Sequence, residues 1–311
     1  MIRRMRAPVS CAAATLAAAV SVAAVADPAL KPEERARPAA APIETSIALR
    51  APRGEWVAFR GVVAGDSASG PDGQLLYPAP NAAGFLAAIV THAVVVGSVQ
   101  EGRKSRQQEA ADAVLTPYRP VLDTFAHADL MQRVVARMRT PGGKRLLVES
   151  ERHAQGWLVE SQPVFSMTQD QKALVLDNAI AVFAGSADAG PTHQIVVRVV
   201  ASPVRAENPG AHWLESHGEP IREASAGLVA MSLDLALAAV KTPVATGTGM
   251  HRTVRYYEGG VEKMERGEVL AEGCGRRLLR NLRGWLMSVP LAREAENAGD
   301  GQCGGPQDAE K

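Results

Sequence analysis

The chain has 311 residues, 46% of them hydrophobic and 22% charged, with 34 Lys and Arg set against 33 Asp and Glu. This is the composition of an ordinary globular protein, and it excludes a disordered chain, a collagen-like fibre and a small disulfide knot. A net charge of +1 excludes nucleic-acid binding driven by bulk electrostatics, which needs a basic excess to displace phosphate counterions.

The chain opens MIRRMRAPVSCAAATLAAAVSVAAVADPAL. Arg3, Arg4 and Arg6 precede an uncharged stretch rich in Ala, Val and Leu, and Ala24-Val25-Ala26 is a small-x-small site before Asp27. That is the pattern of a signal peptide over residues 1–26. The apolar stretch is short for a permanent span, which needs about 20 residues. Two variants are disfavoured by position. Arg3-Arg4 lacks the bulkier apolar pair expected after a twin-arginine signal, and Cys11 precedes the apolar stretch instead of following it, as a lipidated cysteine would. Removing residues 1–26 takes three Arg and no acid, so the charge falls from +1 to −2.

Residues 27–44 carry four Pro with mixed charge and read as a flexible spacer. The body of the chain, 45–290, reads as a single domain, and 291–311 as a flexible Gly-rich tail. Ser46 to Val63 alternates like extended chain around a Pro-Arg-Gly turn. A loop rich in turn residues follows, GDSASGPDGQLLYPAPN. Residues 81–115 read as helical. Leu75–Gln100 carries no charge apart from His92, but its polar residues favour a helix buried in a soluble core over a second membrane span. Ser105-Arg-Gln-Gln108 has the form of a capping box that restarts a helix, and a short helix is expected at 127–138. The period then changes to two. Arg145–Ser150, Trp157–Met167, Ala173–Phe183 and Gln194–Ser202 read as strands, with Leu174, Leu176, Ile180 and Val182 alternating with Val175, Asp177, Ala179 and Ala181. Pro220, Glu219 and Glu223 early and Lys241 late bracket an apolar helix. Gly259-Gly260 marks a hairpin between Arg252–Tyr257 and Val261–Leu270, and Arg276–Met287 is expected to be helical. The resulting fold class is α+β, an antiparallel sheet (meander plus C-terminal hairpin) packed against several helices.

Five groups carry candidate chemistry or a candidate cross-link. Gly65-Asp66-Ser67 resembles the nucleophile blocks of two classes of serine hydrolase. The esterase pattern wants a late Asp-x-x-His, which is absent, and the protease pattern wants its His before the Ser, whereas every His here follows Ser67. His212 and His217, close to Glu215 and Glu219, are the densest ligand-capable group; their x4 spacing does not share a helix face, and a metal site would need help from His251 or His193. Gly97–Ser105 nearly spells a phosphate-binding loop, but Arg103 breaks the Gly-Lys-Ser register. Arg276, Arg280 and Arg283 align on a helix beside Trp285, and Arg and Trp are enriched in interaction hot spots. Cys274 and Cys303 form an even pair, expected to bridge in an oxidising compartment. Closing that loop of about 30 residues gives on the order of 3 kcal/mol in the chain-entropy picture.

These readings favour an exported, non-catalytic cell-envelope protein, periplasmic, with outer-membrane association or release as alternatives. It would bind a protein or other envelope component through Arg276, Arg280, Arg283 and Trp285. No cofactor, nucleic acid or membrane span after signal cleavage is expected. The alternative is an exported hydrolase using Ser67, or a metal at His212 and His217.

Overall fold

The computed structural model describes residues 46–63, 100–147, 151, 153, 156–185, 190–241 and 249–291, all within the unit Ala40–Lys311. Residues 1–26, expected to be a signal peptide, the expected 27–44 spacer, Ser67 with its loop, residues 81–99 and residues 292–311 lie outside them. In chain order the elements are β1 (Ile47–Arg50), β2 (Ala58–Gly61), α1 (Gln100–Asp112), a 3-10 turn (Ala113–Tyr118), α2 (Arg119–Leu122), α3 (His127–Arg137) and β3 (Lys144–Leu147). There follow β4 (Trp157–Met167), β5 (Leu174–Ala184), β6 (His193–Val200), α4 (Pro209–Lys241), β7 (His251–Glu258), β8 (Val261–Gly273), β9 (Arg276–Asn281) and β10 (Leu286–Pro290).

The ten described strands form one sheet in the order β3-β1-β4-β5-β6-β10-β9-β8-β7, with β2 also pairing β4. It is a mixed sheet, which corrects the expected purely antiparallel meander and hairpin. The β4-β5-β6 meander and the β7–β10 run are antiparallel. However, β1 pairs parallel to both β3 and β4, β2 pairs parallel to β4, and β10 pairs parallel to β6. Each parallel pair joins strands far apart in the chain, and only an intervening crossover allows that. α4 and the β7–β9 run lie between β6 and β10, while α1–α3 lie between β2 and the β3–β4 pair. Short hairpin connections reveal themselves in sequence; these long returns do not.

β1 and β2 lie end to end along one side of β4, the first against 157–160 and the second against 164–167. Pro163 falls between the two stretches. A residue without an N–H is tolerated in this central strand because no described strand pairs that side at 161–163.

The main core lies between the sheet and the helices. Trp157, Val159, Phe165, Met167, Leu174, Leu176, Ile180, Val182, Val197 and Val199 turn one face toward Leu228, Val229, Leu233, Ala236 and Leu237 of α4. Each fully buried Leu, Val or Phe contributes roughly 1.5–3 kcal/mol. Asn178, fully buried in β5, donates to Ser232 Oγ of α4 at 2.8 Å, and Ser232 Oγ donates to Val229 O at 2.7 Å, which fixes the register of helix on sheet. By length and composition α4 is apolar enough to cross a membrane, and half of that stretch is buried within this fold.

α4 is broken near its start. Glu215 to Gly218 leave helical geometry, with Ser216, His217 and Gly218 at positive φ. The expected helix start near Pro220 is therefore a restart after the break. Trp213 anchors the first segment by donating Nε1–H to Gln171 O at 2.6 Å. α3 clamps the second. Arg133 bonds Asp129, Glu219 and Glu223; Arg222 reaches back to Asp129. Asp234 accepts from the Arg139 and Thr140 amides and the Thr140 hydroxyl at 2.9, 2.9 and 2.6 Å.

The other face of the sheet is covered as well. β7–β10 curl so that Val254 and Tyr256 of β7 join Val175 of β5, Val200 of β6, Leu279, Met287 and Val289 in a second apolar cluster. Asp170, in the β4–β5 turn, accepts from the Gly260 amide of the β7–β8 turn at 2.6 Å and from Thr168 Oγ1 at 2.6 Å. Burial pushes its carboxyl up, but these donors and Lys172 outweigh burial and hold it below the usual range.

Three further expectations are corrected. Arg276–Met287 is a strand pair, not a helix, because Gly284 takes φ +79° in a turn that reverses the chain between β9 and β10. That glycine was the sequence signal against a helix. Ser105 does not start a helix; it sits inside α1, its hydroxyl on Glu109. The bridge Cys274–Cys303 is not part of the described fold. Cys274 is the only cysteine within the described residues, so no disulfide joins two of them. Cys274 and Gly275 form the two-residue β8–β9 turn, with φ of +53° and +68°.

A Cβ on Gly218 would overlap both γ-methyls of Val121, and its φ of +82° is strained for other residues. Gly218→Ala is expected to cost about 1–3 kcal/mol, seen as a lower Tm. Adding Val121→Ala should recover the steric part and leave the backbone part.

Candidate functional site

The four residues expected to form one contact surface lie on β9, the following turn and the start of β10. Strand alternation and the turn divide them. Arg276 and Arg280 share the face that looks toward α4, paired across β10 with Pro290 and Leu286. Arg276 is held inward. Its Nε donates to Ser288 Oγ at 2.8 Å, and its Nη2 to Ser288 O at 2.8 Å and Val200 O at 2.7 Å. Burial with no carboxylate beside it lowers its pKa to about 10. Arg280 is half-buried, with Nη1 buried and without a hydrogen-bond partner. Among the described residues neither arginine has an acidic partner.

Arg283 and Trp285 lie at the rim of another group, formed where β7–β10 curl over β5 and β6. Asp177 and Arg198 are direct cross-strand partners. They form a two-point ion pair, Nε to Oδ1 at 2.6 Å and Nη2 to Oδ2 at 2.7 Å. Such fork-on-fork geometry is strong and orients both groups. Burial disfavours the Arg198 charge, but Asp177, with Glu258 and Tyr256 farther off, holds its pKa well above the ordinary value. Tyr256 donates Oη–H to Glu258 Oε1 at 3.2 Å, with Glu258 only 6% exposed. Burial and the Glu258 charge push the Tyr256 hydroxyl up, so it stays protonated and remains a donor. Trp285 closes the group. Arg198 and Arg283 approach its ring at 5.7 and 5.2 Å from the centroid, contacts of roughly 0.5–2 kcal/mol each. Asn281 Oδ1 accepts from the Arg283 and Trp285 amides at 3.0 Å each and shapes the turn. The network therefore locks the curl and aims Trp285. Its acids are matched by guanidinium and hydroxyl donors rather than held apart as an acid and a base.

The other candidates are scattered. His212 Nδ1 lies 3.4 Å from Glu215 Oε2, and its ring tilts against Trp213. His217 is exposed at the break in α4, in left-handed backbone. Among the described residues no three His, Cys, Asp or Glu side chains gather as a metal site. Ser67 lies outside those residues.

Sequence reasoning passed over Asp177, Arg198, Tyr256, Glu258 and Glu265. A signal was present. Asp177 and Arg198 are single charges inside otherwise apolar strands, LVLDNAIAVF and IVVRVV, and a buried charge requires a partner. Only the register of β5 on β6 reveals that each is the other's partner.

Glu265 of β8 gives this network a pH dependence. Burial raises its pKa above the usual 4.5, Glu258 adds to the rise, and Arg283, Arg198 and Asn281 oppose it. The folded protein thus binds the Glu265 proton more tightly than the unfolded chain. Its contribution to stability falls as pH rises from about 4.5 through the raised folded value. Glu265→Gln should raise Tm at pH 7, and the gain should disappear below pH 4.5. Thermal melts across pH 3.5–8 measure this; a gain that is independent of pH refutes the assignment. No protein-family model, curated protein or solved structure matches the chain.

Proposed function

We propose that the chain is an exported, non-catalytic protein of the cell envelope that acts by binding another envelope component, with β9 and the turn after it as the contact region. The single observation supporting a binding role is the pair Arg276 and Arg280. They stand on one face of β9, about 13 Å apart along the strand at ~3.3 Å per residue, and among the described residues neither meets a carboxylate. The Arg276 guanidinium already meets Ser288 and Val200, whereas Arg280 Nη1 is buried with no acceptor among the described residues, which is costly unless a partner supplies one. Arg283 and Trp285 extend the region around the turn, where Arg283 is exposed and Trp285 half-buried. Support for export comes from the N-terminal sequence: three arginines, an apolar stretch and the Ala-Val-Ala site before Asp27.

Two measurements test the proposal. Mass spectrometry of the protein recovered from cells should find a chain that begins at Asp27 in the periplasmic fraction; a cytoplasmic chain retaining residues 1–26 refutes export. A photo-crosslinking residue placed at Leu282, which is 63% exposed beside this region, should capture one dominant envelope partner. Arg280→Glu with Arg283→Glu should cut that capture at least tenfold, equivalent to about 1.4 kcal/mol of binding. Arg276 is left intact, because its bonds to Ser288 and Val200 hold β9, β10 and β6 together. Capture of the chain only with itself, or unchanged capture by the double variant, overturns the contact assignment.

A further inference from the structure

We infer that the notch in the sheet beside the first residues of β6 is an anion site, in which Arg280 and His193 receive a carboxylate or phosphate group of the bound partner. The inference rests on the reading of β9 as the contact strand and gives that partner its chemistry.

The notch follows from the register. β6 begins at His193, but β10 pairs with it only from Val197, opposite Leu286. Over 193–196 the described strands pair β6 on its β5 side alone. β9 ends at Asn281, and the chain turns through 282–284 before β10 begins. Arg280 is paired with Leu286, and Leu286 with Val197. By strand alternation Arg280, Leu286, Val197, Ile195 and His193 therefore lie on one face of the sheet. The end of β9 and the start of β6 flank the place where β10 has not yet begun.

Both flanking side chains hold a buried nitrogen that nothing among the described residues satisfies. Arg280 Nη1 and His193 Nε2 are buried and make no hydrogen bond. Leaving a buried donor unpaired costs about 1–3 kcal/mol, and more when the group is charged. Glu268 is the direct strand partner of Arg280 on β8, yet the two form no ion pair. The nearest acid in the strand register therefore does not neutralise this guanidinium. The two groups sense each other: after burial, the Arg280 charge is the second cause that lowers the His193 pKa. A cation is excluded by the fixed positive charge, and an apolar group would leave both donors unpaired. An oxyanion answers both. It offers acceptor oxygens to the guanidinium, the geometry for which Arg is suited, and one oxygen to the imidazole in the tautomer that carries its proton on Nε2.

The test uses the mature full-length protein in a chloride-free buffer. Inorganic phosphate and acetate are titrated separately while the imidazole resonances of His193 are followed by NMR. At least one anion should move them saturably, and whichever binds tighter assigns the group as phosphate or carboxylate. Arg280→Gln should weaken that binding at least tenfold, and Arg280→Lys, which keeps the charge but loses the fork, by several-fold. Arg119→Gln, at an exposed arginine of α2 away from β9 and β6, should leave it unchanged. In a folded protein, no saturable shift with either anion overturns the inference, as does a shift that survives in Arg280→Gln. If Arg280→Gln fails to fold, Arg280→Lys decides by the same criterion. The two proposals fail separately: anion binding that needs Arg280 in a chain that captures no partner refutes the contact reading alone. Normal capture by Arg280→Gln, with anion binding lost, refutes the assignment of the anion to the partner.

Discussion

β5 and β6 are apolar on both faces, and the rest of the fold answers to that constraint. Val197 and Val199 need cover on one side while Val200 and Val175 need it on the other. A flat sheet with helices on one side would leave half of this surface in water, at about 25 cal/mol for each Å² exposed. α4 supplies the first cover. The second comes from the sheet itself, when β7–β10 curl back over β5 and β6 and the Asp170 carboxylate pins the β7–β8 turn. The parallel pairing of β10 with β6 is part of the same solution, since it joins the curled half to the central strands along a continuous ladder.

The curl also explains how charged residues come to be partly buried between the two halves of the sheet. Asp177 and Arg198 face the interior formed by the curl. Once desolvated they need each other, and a two-point ion pair between adjacent strands satisfies both. Tyr256 and Glu258 arrive from β7 and complete the group. Such a network specifies the alignment of the two halves more than it adds net stability, because each ion has given up part of its water to form it. Arg280 and His193 differ in kind, since their inward nitrogens have no acceptor. What sets this pair apart from the other unpaired buried polar atoms is that both nitrogens flank the notch where β10 has not yet begun, one of them on a guanidinium.

Much of the local structure was legible in the sequence. The apolar runs Trp157–Met167 and Ala173–Phe183 identify β4 and β5, and Thr168–Gln171 between them reads as a tight reversal. Gly259-Gly260 identifies the β7–β8 hairpin, since two positions of unusual φ favour glycine. Asp129 early and Arg137 late suit α3. The misreading of 276–287 has a definite cause. Arg276, Arg280 and Arg283 have helical spacing, and Leu278, Leu279, Leu282 and Leu286 are good helix formers, so propensity and period agreed on the wrong element. Pairing of β9 with both β8 and β10 outweighs those preferences, which amount to only a few tenths of a kcal/mol per residue.

The sequence by itself determined the elements whose signals are local: the period of the central strands, the glycine turns and the apolar length of α4. Those signals act within a few residues and need no partner. The tertiary structure alone decided the direction of strand pairing, the curl, and the division of the arginines between two surroundings. Parallel pairs join segments 80 residues or more apart, as Leu286 and Val197 are, and no local pattern records which distant edge a strand will find. The partnership of Asp177 with Arg198 and the company of Arg280 with His193 follow from register, since a shift of one residue would turn each side chain to the opposite face.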